Sequence, residues 1–203
     1  ALSSAASDVY KRQGDGSTQE SNAAVTVQGD HDAAIELDGD NELKSGGYNA
    51  GLEKNEHESK GTLTIKDDKG KDGSLTAEGG DGGGAGIGGG ANGTGEVIIG
   101  GKAQVKATGS AEHYRLYDSY GAGAAIGNGG TAGWSNTGTV QKGENQFTTD
   151  KGSIQDGAKV EMTNIGHNSS NTVTKTRRNG DWVTEGDEEQ TPEECKHQKG
   201  SYY

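Results

Sequence analysis

Two sets of side chains in this sequence have the chemistry to bind a ligand. The first set is aromatic: Tyr114, Tyr117 and Tyr120 lie within one polar segment, and Trp134 follows the next glycine-rich stretch. Exposed aromatic rings offer large, rigid surfaces at low conformational entropy cost, which suits stacking on the faces of sugars. We interpret these four residues as a carbohydrate-binding cluster, with packing of the segment against the body of the protein as the alternative.

The second set consists of aspartates in sequences that favour turns. Asp38 and Asp40 flank Gly39, and Asp67 and Asp68 are adjacent. Carboxylate oxygens are ligands that calcium prefers, so these four aspartates are a candidate calcium site, with solvated surface acids as the alternative. Neither pair has the full ligand spacing of a calcium-binding loop, and the sequence indicates no required cofactor.

Two short motifs resemble binding sites but lack the context that those sites need. The letters G-x-G-x-x-G begin at Gly84, yet the glycine-rich residues 90–95 that follow cannot begin the helix that would hold a pyrophosphate. Cys195 and His197 supply two metal ligands, and a structural zinc site needs four. Neither motif therefore predicts a cofactor.

Catalysis by paired carboxylates is the remaining chemical possibility. Polysaccharide hydrolysis needs clustered acids, and the sequence offers the adjacent pair Asp67 and Asp68 with an isolated His167. Adjacent residues of a strand point to opposite faces of a sheet, and the motifs that surround such acids in pectin-cleaving enzymes are missing. We predict that the protein is not an enzyme, and a degenerate polysaccharide lyase is the third of three functional hypotheses.

The bulk composition indicates a poorly packing chain and excludes several classes of protein. The 203 residues include 38 glycines, Leu, Ile, Val and Phe together account for 25, and the net charge at pH 7 is −12. These values are typical of disordered chains. The acidic balance predicts no nucleic-acid partner, because phosphate contacts need Lys and Arg. The absence of a long apolar run predicts no membrane insertion.

An internal repeat overrides the prediction of disorder. Short apolar segments recur in a fixed order at spacings of 30–39 residues. Each alternates apolar with polar residues, as half-buried strands do, and turn sequences such as Asp72-Gly73 and Asn92-Gly93 separate them. The aligned residues, all predicted to point into the core, are Ile35, Ile65 and Ile99; Leu43, Leu75 and Val105; and Leu52, Ile87 and Ile126.

Three short strands in each stacked unit predict an all-β fold, a right-handed parallel β-helix of about four rungs with glycine-rich turns and flexible tails. Glycine occupies 13 of the 23 positions in residues 79–101, which lets neighbouring rungs approach without Cβ clashes. The predicted organisation is an artefactual or disordered leader at 1–21, the repeat domain at 22–176, and an acidic linker with a truncated tail at 177–203. Residues 1–13 resemble sequencing-adapter read-through on a metagenomic fragment.

The repeats also resemble a known family. The segment AIELDGDNELKSG at 34–46 and the turn GAGIGGG at 84–90 are similar to β-helical carbohydrate-binding-domain surface proteins of Gram-positive gut anaerobes, over about residues 22–165. The resemblance implies a secreted or wall-attached β-helix that binds polysaccharide and, in some relatives, calcium. The Cys195-Lys-His197 tail is similar to the opening of a cysteine-rich spacer in that family.

These observations predict a non-catalytic, extracellular or cell-wall-attached β-solenoid module that binds carbohydrate or acts as an adhesin on a bacterial surface. Its expected partner is a polysaccharide or a host glycan surface, and further domains of the same chain are expected outside this fragment. The alternative is a passive structural stalk that spaces other domains from the cell wall. The sequence does not identify the ligand.

Overall fold

The computed structural model describes residues 10–13, 22–55, 60–70, 72–112, 119–133, 141–143, 154–155, 157–165, 170–178 and 181–185. This part of the chain contains strands and turns and no helix, so the prediction of an all-β fold is confirmed for it. None of its segments is a helix long and apolar enough to cross a membrane. The strands are β1 Tyr10–Gln13, β2 Val25–Thr26, β3 Ala33–Glu36, β4 Asp40–Lys44, β5 Leu52–Glu53, β6 Leu63–Asp67, β7 Ser74–Glu78, β8 Ile87–Gly88, β9 Ile98–Gly101, β10 Gln104–Thr108, β11 Ser119–Tyr120, β12 Ile126–Gly127, β13 Ala132–Gly133, β14 Lys159–Ile165, β15 Ser170–Arg178 and β16 Asp181–Glu185.

Three sheets contain most of these strands, and the chain enters them in the same order each time. Sheet 1 has the order β1-β4-β7-β10-β14-β15-β16, sheet 2 has the order β12-β8-β5-β2, and sheet 3 has the order β3-β6-β9. From β2 to β10 the chain passes through sheet 2, sheet 3 and sheet 1 three times, and neighbouring strands of each sheet pair in parallel. The parallel pairing joins segments about one repeat apart in the sequence.

Two of the three predicted alignments are confirmed by the strand registers. Ile35 lies opposite Ile65, which lies opposite Ile99 in sheet 3. In sheet 2, Leu52 lies opposite Ile87, and Ile87 lies opposite Ile126. Residues of the same shape therefore stack on one another through successive repeats, which is how short strands with few apolar residues each can build a continuous core.

The third predicted alignment joined Leu43, Leu75 and Val105. It is correct for Leu75 and Val105 and wrong by two residues for Leu43. Leu43 lies opposite Ala77, and Leu75 lies opposite Asn41 and Val105. A shift of two residues keeps the same side chains on the inner face, because side chains alternate with period two. Asn41 is accommodated opposite Leu75 because its side-chain amide donates to the carbonyl oxygens of Gly39 and Ser74.

The inner side chains of all three sheets form one hydrophobic cluster. Eight of the nine residues predicted to point inward are buried, and Ile35 is half-buried against the same cluster. Leu63, Val97, Ile154 and Met162 are further buried members. Ile154 forms a parallel bridge with Ile99 and so extends sheet 3 by one position.

Both ends of sheet 1 differ from a uniform stack of parallel strands. At one end, β1 pairs in parallel with β4, so residues 10–13 of the predicted leader contribute a strand. At the other end, β14 pairs with β15 and β15 with β16 in antiparallel fashion. The boundary predicted at 176/177 therefore falls inside β15, and parallel pairing ends at β14. Cys195 and His197 lie outside the described residues.

Candidate functional site

Tyr48 is the exposed large hydrophobic residue that stands out among the described residues. It follows β4 in the turn that leads from sheet 1 to sheet 2, and 38% of its surface is exposed. Its backbone φ is 68°, in the left-handed region that a non-glycine residue seldom adopts. Strained conformations of this kind cost of order 1–3 kcal/mol and cluster at functional sites. Tyr48 is therefore the starting point for a candidate site.

Backbone hydrogen bonds on both sides hold Tyr48 in this conformation. Its N–H donates to the carbonyl oxygen of Asp81 at 2.7 Å, and its own carbonyl oxygen accepts from the N–H of Ala91 at 2.7 Å. The hydroxyl of Ser45 donates to the carbonyl oxygen of Asn49 at 2.7 Å and closes the turn around Tyr48. Contacts with the next repeat thus fix the tyrosine in place and offset its local strain.

The Tyr48 ring lies directly on Gly82 of the next repeat. A Cβ atom built on Gly82 would be 2.5 Å from Cε1 and 2.6 Å from Cδ1 of that ring, and the φ of Gly82 is +93°. Real Cβ atoms do not approach other atoms so closely, so any side chain at this position would displace the ring. The glycine leaves the space that the aromatic ring fills.

A second aromatic ring completes the surface. The ring centroids of Tyr48 and Tyr120 are 4.9 Å apart, and the ring planes are inclined by 54°. Tyr120 belongs to β11, which pairs with β13 in a two-stranded antiparallel sheet. The distance and tilt are within the range that aromatic pairs favour. Two tyrosines from different repeats therefore meet on one edge of the fold, and we call them the tyrosine pair.

The structure places one of the four predicted carbohydrate-binding residues at this edge. Tyr120 is half-buried beside Tyr48, whereas Tyr114, Tyr117 and Trp134 lie outside the described residues. The sequence analysis missed Tyr48 because it is alone among polar residues. A signal was present nonetheless: Tyr48 lies in the turn after one sheet 1 strand, and Gly82 occupies the matching turn of the next repeat.

Charged residues lie at the ends of the sheet 1 strands that precede the turns of Tyr48 and Gly82. Lys44, at the end of β4, places its Nζ 2.8 Å from Oε2 of Glu78 at the end of β7. The pKa of Lys44 is raised, first because its ammonium shares a hydrogen bond with Glu78 and then because the charges of Glu78, Asp81 and Glu42 favour the protonated form. Both side chains are largely exposed, so this ion pair adds little to stability.

Three of the four aspartates predicted as calcium ligands, Asp40, Asp67 and Asp68, make hydrogen bonds or ion pairs within the protein. Asp67 is 1% exposed, and its carboxylate accepts from the N–H groups of Gly70 at 2.8 Å and Gly73 at 3.0 Å. Asp68 pairs with Lys66, whose pKa is raised first by the hydrogen bond to Asp68.

Asp40 accepts from the hydroxyl of Ser74 at 2.6 Å, and Asp38 is half-buried in the turn between β3 and β4. Across the residues that the structure describes, no group of three or more His, Cys, Asp or Glu side chains is arranged to hold a metal ion. Calcium binding therefore stays a prediction from sequence, and the observed role of Asp67 is to close the turn between β6 and β7.

Buried polar residues fix the glycine-rich turns that carry the tyrosine pair. Ser110 is 3% exposed, and its hydroxyl oxygen accepts from the N–H groups of Gly83 and Gly123, each at 3.1 Å. The carboxylate of Glu53 accepts from the side-chain amide of Asn55, whose own oxygen accepts from the N–H of Gly90. Side chains thus accept hydrogen bonds from backbone N–H groups that take no part in pairing between strands.

The arrangement is a pair of aromatic rings, one of which is held in place by main-chain bonds to Asp81 and Ala91. Comparisons of the chain with protein-family models, with curated proteins and with solved structures return no match. The Tyr48 ring, partly exposed and lying on the backbone of Gly82, and the adjoining Tyr120 ring are suited to stacking against the apolar face of a flat ligand.

Proposed function

We propose that the three parallel sheets are the faces of one right-handed parallel β-helix of about four rungs. The support is the constant order in which the chain enters sheets 2, 3 and 1, together with the single cluster that their inner side chains form. Crossover connections between parallel strands are right-handed in nearly all proteins. The turns between the sheets then lie along the edges of the solenoid, where side chains from successive rungs meet.

The proposed function is non-catalytic carbohydrate binding by an extracellular or cell-wall-attached module. The observation that carries it is the tyrosine pair, because Tyr48 is exposed, strained and seated on Gly82, and meets Tyr120 at 4.9 Å. The location outside the cell rests on the resemblance of the repeats to bacterial surface proteins.

The test is retention of the full chain on immobilised neutral polysaccharides, such as β-linked glucans. Tyr48→Ala and Tyr120→Ala are each expected to lower retention, because each removes one stacking ring. Circular dichroism and thermal midpoints check that both variants fold. Retention equal to that of the wild type in both folded variants would contradict the proposal.

A matched pair of glycine variants distinguishes the effect of displacing the Tyr48 ring from the effect of backbone strain alone. Gly82→Ala pushes a methyl group into the Tyr48 ring at φ +93°, whereas Gly29→Ala has a similar φ of +102° with no atom within 4 Å of the new Cβ. Both variants carry backbone strain of about 1 kcal/mol. Only Gly82→Ala is expected to reduce binding, and an equal reduction in both would indicate loss of folding instead.

A passive stalk is the second candidate, and one observation favours it. Sheet 1 continues from β1 to β16 as a single seven-stranded sheet in the described residues, which gives an extended shape suited to spacing other domains. The absence of retention on every polysaccharide tested, for a folded chain, would favour the stalk. Cleavage of polygalacturonate in the presence of calcium would instead favour the degenerate lyase.

A further inference from the structure

One acidic residue, Asp81, adjoins the Tyr48 turn through its main chain. Asp81 precedes Gly82, on which the Tyr48 ring lies, and its carbonyl oxygen accepts the Tyr48 N–H at 2.7 Å. Asp81 is exposed, and none of the hydrogen bonds or ion pairs described above uses its carboxylate. The main-chain bond therefore holds the backbone of Asp81 next to Tyr48.

The positive charge of Lys44 does not neutralise the acidic residues near Asp81. The ammonium of Lys44 is 2.8 Å from Glu78, which engages it directly. Glu42 and Asp81 also act on the same ammonium through their charges. Three carboxylates therefore share one positive charge, and the net charge of the chain is −12. The local field favours a cationic group on the ligand.

We propose that the tyrosine pair and Asp81 together select glycans with free amino groups, such as glucosamine polymers. This inference rests on the proposed function, since it names the class of glycan that the same surface takes. A protonated amine beside the Tyr48 ring gains from the negative face of the aromatic ring, and it gains again from the carboxylate of Asp81. Neutral sugars can stack on the rings without this second gain, and acidic sugars meet like charges.

The experiment compares three β-1,4-linked oligomers of equal length, composed of glucosamine, N-acetylglucosamine or glucose. The full chain is titrated with each at about pH 6, where the amino groups of the glucosamine oligomer are protonated. The glucosamine oligomer is expected to bind about two- to fivefold more tightly than the other two, the range of one exposed ion pair. Added salt should reduce this preference.

Two charge variants locate the source of the preference. Asp81→Asn is expected to reduce the preference for glucosamine, leaving only the part that comes from the Tyr48 ring, and to leave glucose binding unchanged. Asp30→Asn is the matched control: Asp30 is also exposed and acidic, but it lies between β2 and β3, at a different turn. This control changes the net charge by the same amount and is expected to retain the preference.

The outcomes separate the amine preference from the proposed function. Equal affinity for glucosamine and glucose oligomers, both weakened by Tyr48→Ala, would overturn the amine preference and support carbohydrate binding. Equal losses in Asp81→Asn and Asp30→Asn would also overturn it, because net charge rather than Asp81 would then attract the ligand. Failure of all three oligomers to bind the folded chain would overturn both proposals.

Discussion

At the scale of single residues, Tyr48 has a backbone conformation that its own side chain opposes. Glycine accepts a φ of 68° without the steric cost that tyrosine incurs, which is about 1 kcal/mol or more. We predict that Tyr48→Gly changes the free energy of unfolding by less than about 1 kcal/mol, because relief of strain offsets the lost ring contacts. Carbohydrate binding should be lost. Chemical denaturation and retention on polysaccharide measure the two effects, and strong destabilisation would assign the ring a packing role.

Ile87 represents the residues on which the core depends. It is fully buried and lies between Leu52 and Ile126 in sheet 2, so its truncation leaves a cavity that both neighbours line. We predict that Ile87→Ala lowers the free energy of unfolding by about 2–4 kcal/mol.

Ile98→Ala provides the control for this prediction. Ile98 is half-buried and alternates with the buried Ile99 on β9. Its truncation should cost about 1 kcal/mol or less. Equal thermal midpoints for wild type and Ile87→Ala would contradict a packed core and would favour a disordered chain.

At the scale of elements, the glycine-rich turns bring backbone against backbone. A Cβ on Gly84 would be 2.0 Å from the carbonyl oxygen of Asn49 in the preceding repeat. We predict that Gly84→Ala lowers the free energy of unfolding by about 2–3 kcal/mol, as overpacking of a close contact does. Gly29→Ala, which meets no neighbouring atom, should cost only about the strain of its positive φ, roughly 1 kcal/mol. Similar losses in the two variants would contradict this account of the turns.

The parallel strands that carry the repeat could be predicted from the sequence, with their order, because short apolar segments recur at spacings of 30–39 residues. The Ile35, Ile65 and Ile99 alignment follows directly from that pattern. The residue opposite Leu43 in the neighbouring strand could not be predicted in the same way, because a shift of two residues leaves the same side chains on the inner face. The polar interactions of Asn41 favour the observed register, and these depend on a neighbouring strand that sequence alone does not position.

The antiparallel pairing of β14, β15 and β16 also lay beyond the sequence analysis. Residues 170–178 show little alternation of polar and apolar side chains, and the repeat of the earlier units does not continue into them. Hairpin pairing of neighbouring segments needs no repeat, only a short connection. A search for repeats therefore could not identify the two strands that continue sheet 1.

At the scale of the whole molecule, the candidate site depends on residues that are distant in sequence. Tyr48, Gly82 and Tyr120 come from three successive repeats and meet at one edge. The aromatic concentration near Tyr120 was visible in the sequence, but the contribution of Tyr48 required the stacking of repeats to be known. A stacked fold presents its ligand contacts at the same turn in each repeat, so solitary aromatics in matching turns are informative in such proteins.

The central claim is that the tyrosine pair binds carbohydrate, and the most direct test is nuclear magnetic resonance of the full chain with ring-labelled tyrosine. The protein has 7 tyrosines, so single substitutions can assign every ring signal. On addition of a glucosamine oligomer, we expect the ring signals of Tyr48 and Tyr120 to shift together with one saturating dependence on concentration. Unchanged signals for Tyr48 and Tyr120 in the presence of every oligomer tested would contradict the account.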